Sequence, residues 1–325
     1  MKKSLPVRFF KTTVQLLGSS FTAFNDDHGF KLSAALAYYT VFALAPLLMI
    51  IIFITSSIFG ADAVQGRIFS ELNNFVGNSA AMQVQETIEK ISLSNKSTFA
   101  LVTGIITLTI GATGVFVEIQ DSINMIWKVK AKPKKGWLKL LTNRILSFSM
   151  IISLGFLLIV SLLINGLVIA MTDQLNRYFP DITVLLVNIL NLALTFGIIS
   201  ILFAIIFKFL PDVEIEWKDV RIGAFFTATL FMIGRYLIGL YINTAGPGTA
   251  YGAAGSLIII LLWVYYTAAI LYFGAEFTQV HAEAYGCKIK PASYAVHIVQ
   301  TEQEKNVKVL PTQDHDINID KKDLV

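Results

Sequence analysis

The sequence predicts an all-α protein, an integral membrane bundle of six transmembrane helices with a short amphipathic helical exterior segment. Three observations carry this reading. The 325 residues are 55% hydrophobic and 15% charged, with a mean hydropathy of +0.65, which is more apolar material than a soluble core absorbs. Six apolar stretches, at about 32–54, 99–119, 145–171, 182–207, 222–243 and 255–280, match the roughly 20 residues that cross a hydrocarbon core of about 30 Å. The loops between them alternate sharply in Lys and Arg content.

That alternation sets the orientation, because short basic loops stay on the cytoplasmic side. Residues 1–31, 120–144, 208–221 and 281–325 carry 21 basic residues, whereas 60–98, 172–181 and 244–254 carry 4. Six crossings with both termini cytoplasmic follow. The organisation expected is a cytoplasmic N-terminal segment at 1–31, a six-span membrane domain at 32–285, and a polar, largely disordered cytoplasmic tail at 286–325. Residues 1–31 lack the short apolar core of a secretory signal, so the first span, starting at Leu32, is expected to remain as an anchor.

Between the first two spans, Val64, Ile68, Leu72 and Phe75, and then Val84, Ile88 and Ile91, recur at helical spacing. Two short amphipathic helices are expected there, lying on the membrane surface or capping the bundle. Residues 127–137 combine five lysines with Trp127 and Trp137, a pattern that fits anchoring in lipid headgroups. The outer loop 244–255 holds no charge and is rich in Gly and Pro; it reads as a plain turn or as backbone re-entering beside a cavity. Pro46 in the first span cannot donate to the carbonyl of Phe42 and predicts a helix kink.

Polar residues at membrane depth are the candidates for function. Arg235 lies near the middle of the fifth span, and antiparallel crossing brings Asn165, Asn188 and Asn191 to a similar depth. These four form a candidate layer for an anion or lipid headgroup, matched to the forked donors of a guanidinium. The alternative is an arginine that snorkels outward or binds backbone carbonyls. At the opposite side, Glu276, Glu118 and Asp121 are candidates for a cytoplasmic vestibule. Glu276 sits in an apolar turn, where it either couples to protons or pairs with a basic residue.

Cys287 is the single cysteine, which excludes an intramolecular disulfide and a cysteine-based metal cluster. No metal and no cofactor are expected, and no nucleophile–base motif supports an enzyme. The pI of about 9.0 is accounted for by the basic loops, so no nucleic-acid partner is inferred; the partners expected are membrane lipids, with an anionic lipid or glycolipid first.

Three blocks resemble the YihY/BrkB family of bacterial inner-membrane proteins. Residues 34–46, with Tyr38, Tyr39 and Pro46, are similar to its opening signature, and 111–127, ending in Asn124-Met125-Ile126-Trp127, to its second-span motif. Residues 251–277, with Gly252, Trp263 and Gly274-Ala275-Glu276-Phe277, resemble its final-span motif. The resemblance covers about 20–285. It implies a six-helix membrane protein connected with the bacterial envelope and hands over no mechanism. A ribonuclease BN label carried by some members finds no support here, because His28, His281, His297 and His315 form no HxHxDH-type metal motif. The leading functional expectation is a transporter or flippase-like protein for an anionic or amphiphilic envelope component; the alternative is a non-transporting scaffold or regulator of envelope biogenesis.

Overall fold

The computed structural model describes residues 5–43, 82, 114–132, 180–245, 255–285 and 289–299. The expected kink at Pro46, the amphipathic helices of 60–98 other than Met82, the third span with Asn165, the loop containing Gly252, Trp137 and Cys287 lie outside these residues. The described chain forms α1 (Leu5–Asp26), α2 (residues 29–43) and α3 (residues 114–126). It continues with β1 (Val129–Ala131), α4 (Pro180–Phe209), β2 (Val213–Glu214) and α5 (Trp217–Ala245). Last come α6 (Gly255–Ala284), β3 (Lys290–Pro291) and β4 (Ala295–His297).

Three of these helices are long and apolar enough to cross a membrane: Ile189–Phe209, Trp217–Ile242 and Leu257–Ala284. They coincide with the predicted fourth, fifth and sixth spans. Helix α4 is apolar all round, and Leu185, Ile189, Leu190, Leu192 and Ile201 are exposed on it. Such a helix is stable only where another apolar phase covers it. It stops where Pro211 follows, since proline lacks the amide that would continue the ladder. Helix α5 starts two residues after Ile215, with Asp219 in its first turn, where a carboxylate meets the positive end of the helix dipole.

Helix α4 runs antiparallel to α5, with Phe209 beside Trp217 at one end and Asn191 in one cavity with Arg235 further along; α5 runs antiparallel to α6, with Gly223 against Thr278 and Gly234 against Tyr266; and α1 packs on α6. Toward the strand end, the α5–α6 contact holds a reciprocal Gly–Thr lock. A Cβ on Gly223 would collide with the Thr278 hydroxyl, and one on Gly274 with the Thr227 hydroxyl. Each threonine donates back to the carbonyl of the glycine one turn earlier on its own helix, Thr227 to Gly223 and Thr278 to Gly274, both at 2.7 Å. Hydroxyl and notch thus satisfy and fill one another, the small-residue packing available to helices in lipid. Further along, a Cβ on Gly234 would lie 2.6 Å from Tyr266 and 2.7 Å from Ile270. Three glycines therefore set both spacing and register of the pair.

At one end of the helices, two small antiparallel sheets tie loops together. β1 pairs with β4 in the register Val129↔His297, Lys130↔Val296, Ala131↔Ala295, and β2 pairs with β3 as Val213↔Pro291 and Glu214↔Lys290. Pro291 occupies an edge, where its missing donor is tolerated. Beneath these sheets lies the main core, built from Ile123, Ile126, Trp127, Phe203, Phe207, Val220, Tyr272 and Ala275 among others.

Two features add to the sequence expectation. Residues 5–26, read as a plain N-terminal segment, form a helix, and its turn places Phe24 edge-on to Phe273 of α6 at 5.9 Å. Residues 289–299, read as part of a disordered tail, contribute β3 and β4, because their backbone groups find partners on two loops far away in sequence. Residues 300–325 lie outside the described chain.

Replacing Gly223 or Gly274 by Ala should lower the stability of the detergent-purified protein by about 1–3 kcal/mol, the usual penalty of overpacking. Thermal melts of each variant check this, and Thr278→Ser in the Gly223→Ala background should not restore the loss, since the clashing oxygen remains.

Candidate functional site

Two polar regions stand out in an otherwise apolar bundle. The first is an open cavity of about 540 Å³ between α4 and α5, lined by Asn191, Leu192, Thr195, Met232, Arg235, Tyr236, Gly239 and Leu240. Arg235 is 18 positions from the start of α5, or about 27 Å from the strand end at 1.5 Å per residue. Its surroundings follow from the helix lock: Gly234 faces α6, which turns position 235 toward α4. Gly239, one turn further, meets nothing within 4 Å of where a side chain would start, and so leaves room beside the guanidinium.

Arg235 is half-buried, and among the described residues no carboxylate pairs with it. Asn191 and Thr195 add neutral donors and acceptors, while exposed Leu192, Tyr236 and Leu240 make the outer walls apolar. Of the four residues expected to form a polar layer, Arg235 and Asn191 share this cavity. Asn188 lies on α4, with its side chain outside the described set, and Asn165 is outside it altogether. A groove of this kind can hold an anionic group at the guanidinium and a chain along the apolar walls.

The second region lies at the strand end. Asp212, 2% exposed, accepts hydrogen bonds from Asn124 Nδ2 at 2.8 Å, Gln120 Nε2 at 3.1 Å and the Tyr294 hydroxyl at 3.1 Å. Its own amide donates to Asn124 Oδ1 at 2.8 Å. One buried carboxylate thereby joins α3, the α4–α5 connection and the strand-bearing tail. Burial and the neighbouring Asp212 carboxylate push the Tyr294 hydroxyl up to about 12. Lys208 closes the same loop by donating to the carbonyl of Ile215 at 2.5 Å, 5.7 Å over the Trp217 ring.

Trp127 is a correction. Expected at the headgroups, it is 3% exposed and donates from Nε1 to the carbonyl of Ala275 at 3.1 Å. The indole found a buried acceptor because α3 continues past the predicted end of the second span, through residue 126. The adjoining Lys128, read as a headgroup contact, forms an ion pair with Asp27 instead.

Glu276 is 1% exposed and its Oε1 has no hydrogen-bond partner among the described residues. The charges facing it are those of Asp27, Lys128 and Asp26. Glu118 interacts with Asp121, accepts from the Ser122 hydroxyl at 3.4 Å and stands near Tyr272. Tyr272 is one turn before Glu276 on α6. Tyr38 and Tyr39 lie exposed on α2, their rings 5.9 Å apart, and Trp263 packs edge-on to Phe231 at 6.0 Å. Sequence reasoning missed Asp212, Asp27 and Tyr294. The available signal was Asn124, a polar residue inside the second motif block.

These blocks also decide the relationship to known proteins. The family profile described as "Virulence factor BrkB" matches residues 20–296. The chain belongs to the BrkB family. Its similar relatives include a UPF0761 membrane protein of Rhodospirillum centenum, 28% identical over 288 residues, covering 87% of this chain and 61% of the relative. Another UPF0761 membrane protein, of Pseudomonas aeruginosa, is 30% identical over 263 residues, covering 78% of this chain and 59% of the relative. This BrkB chain therefore spans about three fifths of the length of the curated relatives it matches. These relatives are named as membrane proteins and carry no enzyme name. No solved structure matches the chain significantly. In this BrkB protein the motif residues Asn124, Trp127 and Glu276 converge at the strand end, where the first two bind other segments.

The Tyr294 bond predicts an alkaline weakness. A hydroxyl whose folded value is raised from 10.0 to about 12 contributes stability that is complete below the unfolded value and lost as pH rises through the folded one. Amide exchange of residues 289–299 should accelerate between about pH 10 and 12. Tyr294→Phe should exchange faster at neutral pH already and lose that alkaline step.

Proposed function

We propose that this BrkB protein is a six-span, non-enzymatic bacterial inner-membrane protein with both termini cytoplasmic, acting as a transporter or flippase-like protein for an anionic, amphiphilic envelope component. Arg235 contacts the anionic group, with Asn191, Asn188 and Asn165 as further polar contacts, and Glu276 couples the cycle to protons. The basic-residue tally supports the orientation, with the two small sheets and their Lys-rich loops on the cytoplasmic side.

The observation that carries the reading is the Arg235 cavity. A guanidinium in the bilayer core costs roughly 2.5–3.5 kcal/mol on insertion scales, and no described carboxylate offsets it. A ligand that brings a negative charge does so, with bidentate geometry. The cavity opens past Leu192, Tyr236 and Leu240 toward the surface of the helices that lipid covers. An amphiphile enters such an opening sideways, its headgroup at Arg235 and its acyl chains outside.

Native mass spectrometry of the protein released from native-lipid nanodiscs tests this directly. Wild type should retain an anionic lipid or glycolipid selectively, and Arg235→Ala should retain it at least tenfold less, as loss of a charge-assisted contact worth about 1.5–3 kcal/mol implies. Equal retention of bulk lipids by both proteins would remove the anion contact and favour a non-transporting scaffold.

A further inference from the structure

We infer that Glu276, Asp27 and Lys128 form a buried site that holds one proton on Glu276, and that this proton controls the docking of the α1–α2 corner on the bundle. The inference deepens the proton-coupling part of the proposed function and stands on geometry that does not involve the Arg235 cavity.

Three contacts fix the arrangement. The Trp127 indole donates to the carbonyl of Ala275, which sets the residue after it, Lys128, beside Glu276. Phe24 meets Phe273 edge-on, which sets Asp27, one turn on from Phe24, against the same stretch of α6. The Lys128 ammonium and the Asp27 carboxylate then close an ion pair. Asp27 is 11% exposed at its side chain and Lys128 36%, so the ammonium keeps a path to solvent while Glu276, at 1%, does not.

Charge counting identifies the ligand. Two buried carboxyls share a single ammonium already committed to Asp27. With both ionised, the site holds an uncompensated negative charge away from water, which proteins do not sustain without a partner. Glu276 Oε1 has none among the described residues. Every element packed on the site gives the same count. Helix α1 and its turn add Asp26, another negative group; α5 presents Phe226, stacked on Phe277 at 3.8 Å, together with Gly223 and Thr227. On α6 itself, one turn from Glu276, Tyr272 contributes a buried hydroxyl, with Ser122 and Glu118 next to it. Among the described residues no group of three His, Cys, Asp or Glu side chains gathers to hold a metal ion, so a hard cation would lack its oxygen shell. A proton needs one oxygen.

The consequence follows from the same three groups. With the proton on Glu276 Oε1, Lys128 belongs to Asp27 alone and the corner between α1 and α2 is tied to the corner between α3 and β1. When the proton leaves, the Glu276 carboxylate competes for the ammonium and that tie weakens. Both corners are held in a left-handed conformation unusual for non-glycine residues, His28 at φ 57° and Lys128 at φ 55°, the kind of local strain kept where the surroundings enforce it.

Infrared spectroscopy of the purified protein at neutral pH, without added lipid substrate, tests the site. Wild type should show the carbonyl stretch of a protonated carboxylic acid; Glu276→Gln should lack it, and Asp27→Asn, which releases the Lys128 ammonium to Glu276, should weaken it. Where Glu276→Gln fails to fold, wild type grown with ¹³C-labelled glutamate should show that band shifted. A wild type without the band, or a band that survives in folded Glu276→Gln or ignores the glutamate label, overturns the proposal. Because the band is read without lipid, its absence leaves the Arg235 reading intact, and failure of lipid retention leaves this one intact.

Discussion

The register of α5 on α6 is the constraint on which the rest depends. In lipid, apolar side chains gain nothing by leaving their solvent for one another, so two helices associate through close packing and shared polar contacts. Gly223 and Gly274 provide the approach, and Thr278 and Thr227 fill the notches so made. Moving one helix by a residue would set each threonine against a side chain. The same register aims Arg235 at α4 and Glu276 at α1 and α3. Two polar groups that apolar surroundings would otherwise expel are thereby held on opposite halves of one rigid pair.

The strand end is a second device with a different physical basis. A membrane helix pair has no means of tying down its polar loops, and a single buried carboxylate supplies it here. Asp212 collects Asn124 and Gln120 of α3 and Tyr294 of the tail, two segments distant from it in sequence. Its partners are themselves oriented by the β1–β4 and β2–β3 ladders. Removing any one partner would leave a buried charge short of a donor, at a cost of about 1–3 kcal/mol. The conformation of the loops is thus coupled to the packing of the helices.

Much of this was legible in the sequence, and the reasons for the rest are specific. The last three long helices were visible because hydropathy over about 20 residues is a strong and local signal. The pairing of Asn191 with Arg235 in depth was visible because antiparallel crossing turns sequence distance into height. The strands were not, since runs such as Val213–Glu214 and Lys290–Pro291 are too short to carry periodicity, and their partners lie far along the chain. Trp127 and Lys128 misled for a related reason: a Trp–Lys sequence near a span end has the composition of a headgroup anchor, and only the third dimension supplies Ala275 and Asp27 as partners. Glu276 was singled out by composition alone, but its approach to Asp27 and Lys128 rests on helix rotation, which packing decides.

The central claim is that Arg235 balances its charge with a ligand and not with the protein. An experimental structure of the protein in nanodiscs of its native lipids tests it most directly. The account predicts an anionic headgroup within hydrogen-bond distance of the Arg235 guanidinium, near Asn191, with its chains leaving past Leu192, Tyr236 and Leu240. A carboxylate of the protein paired with Arg235, and a cavity filled by side chains, would contradict it.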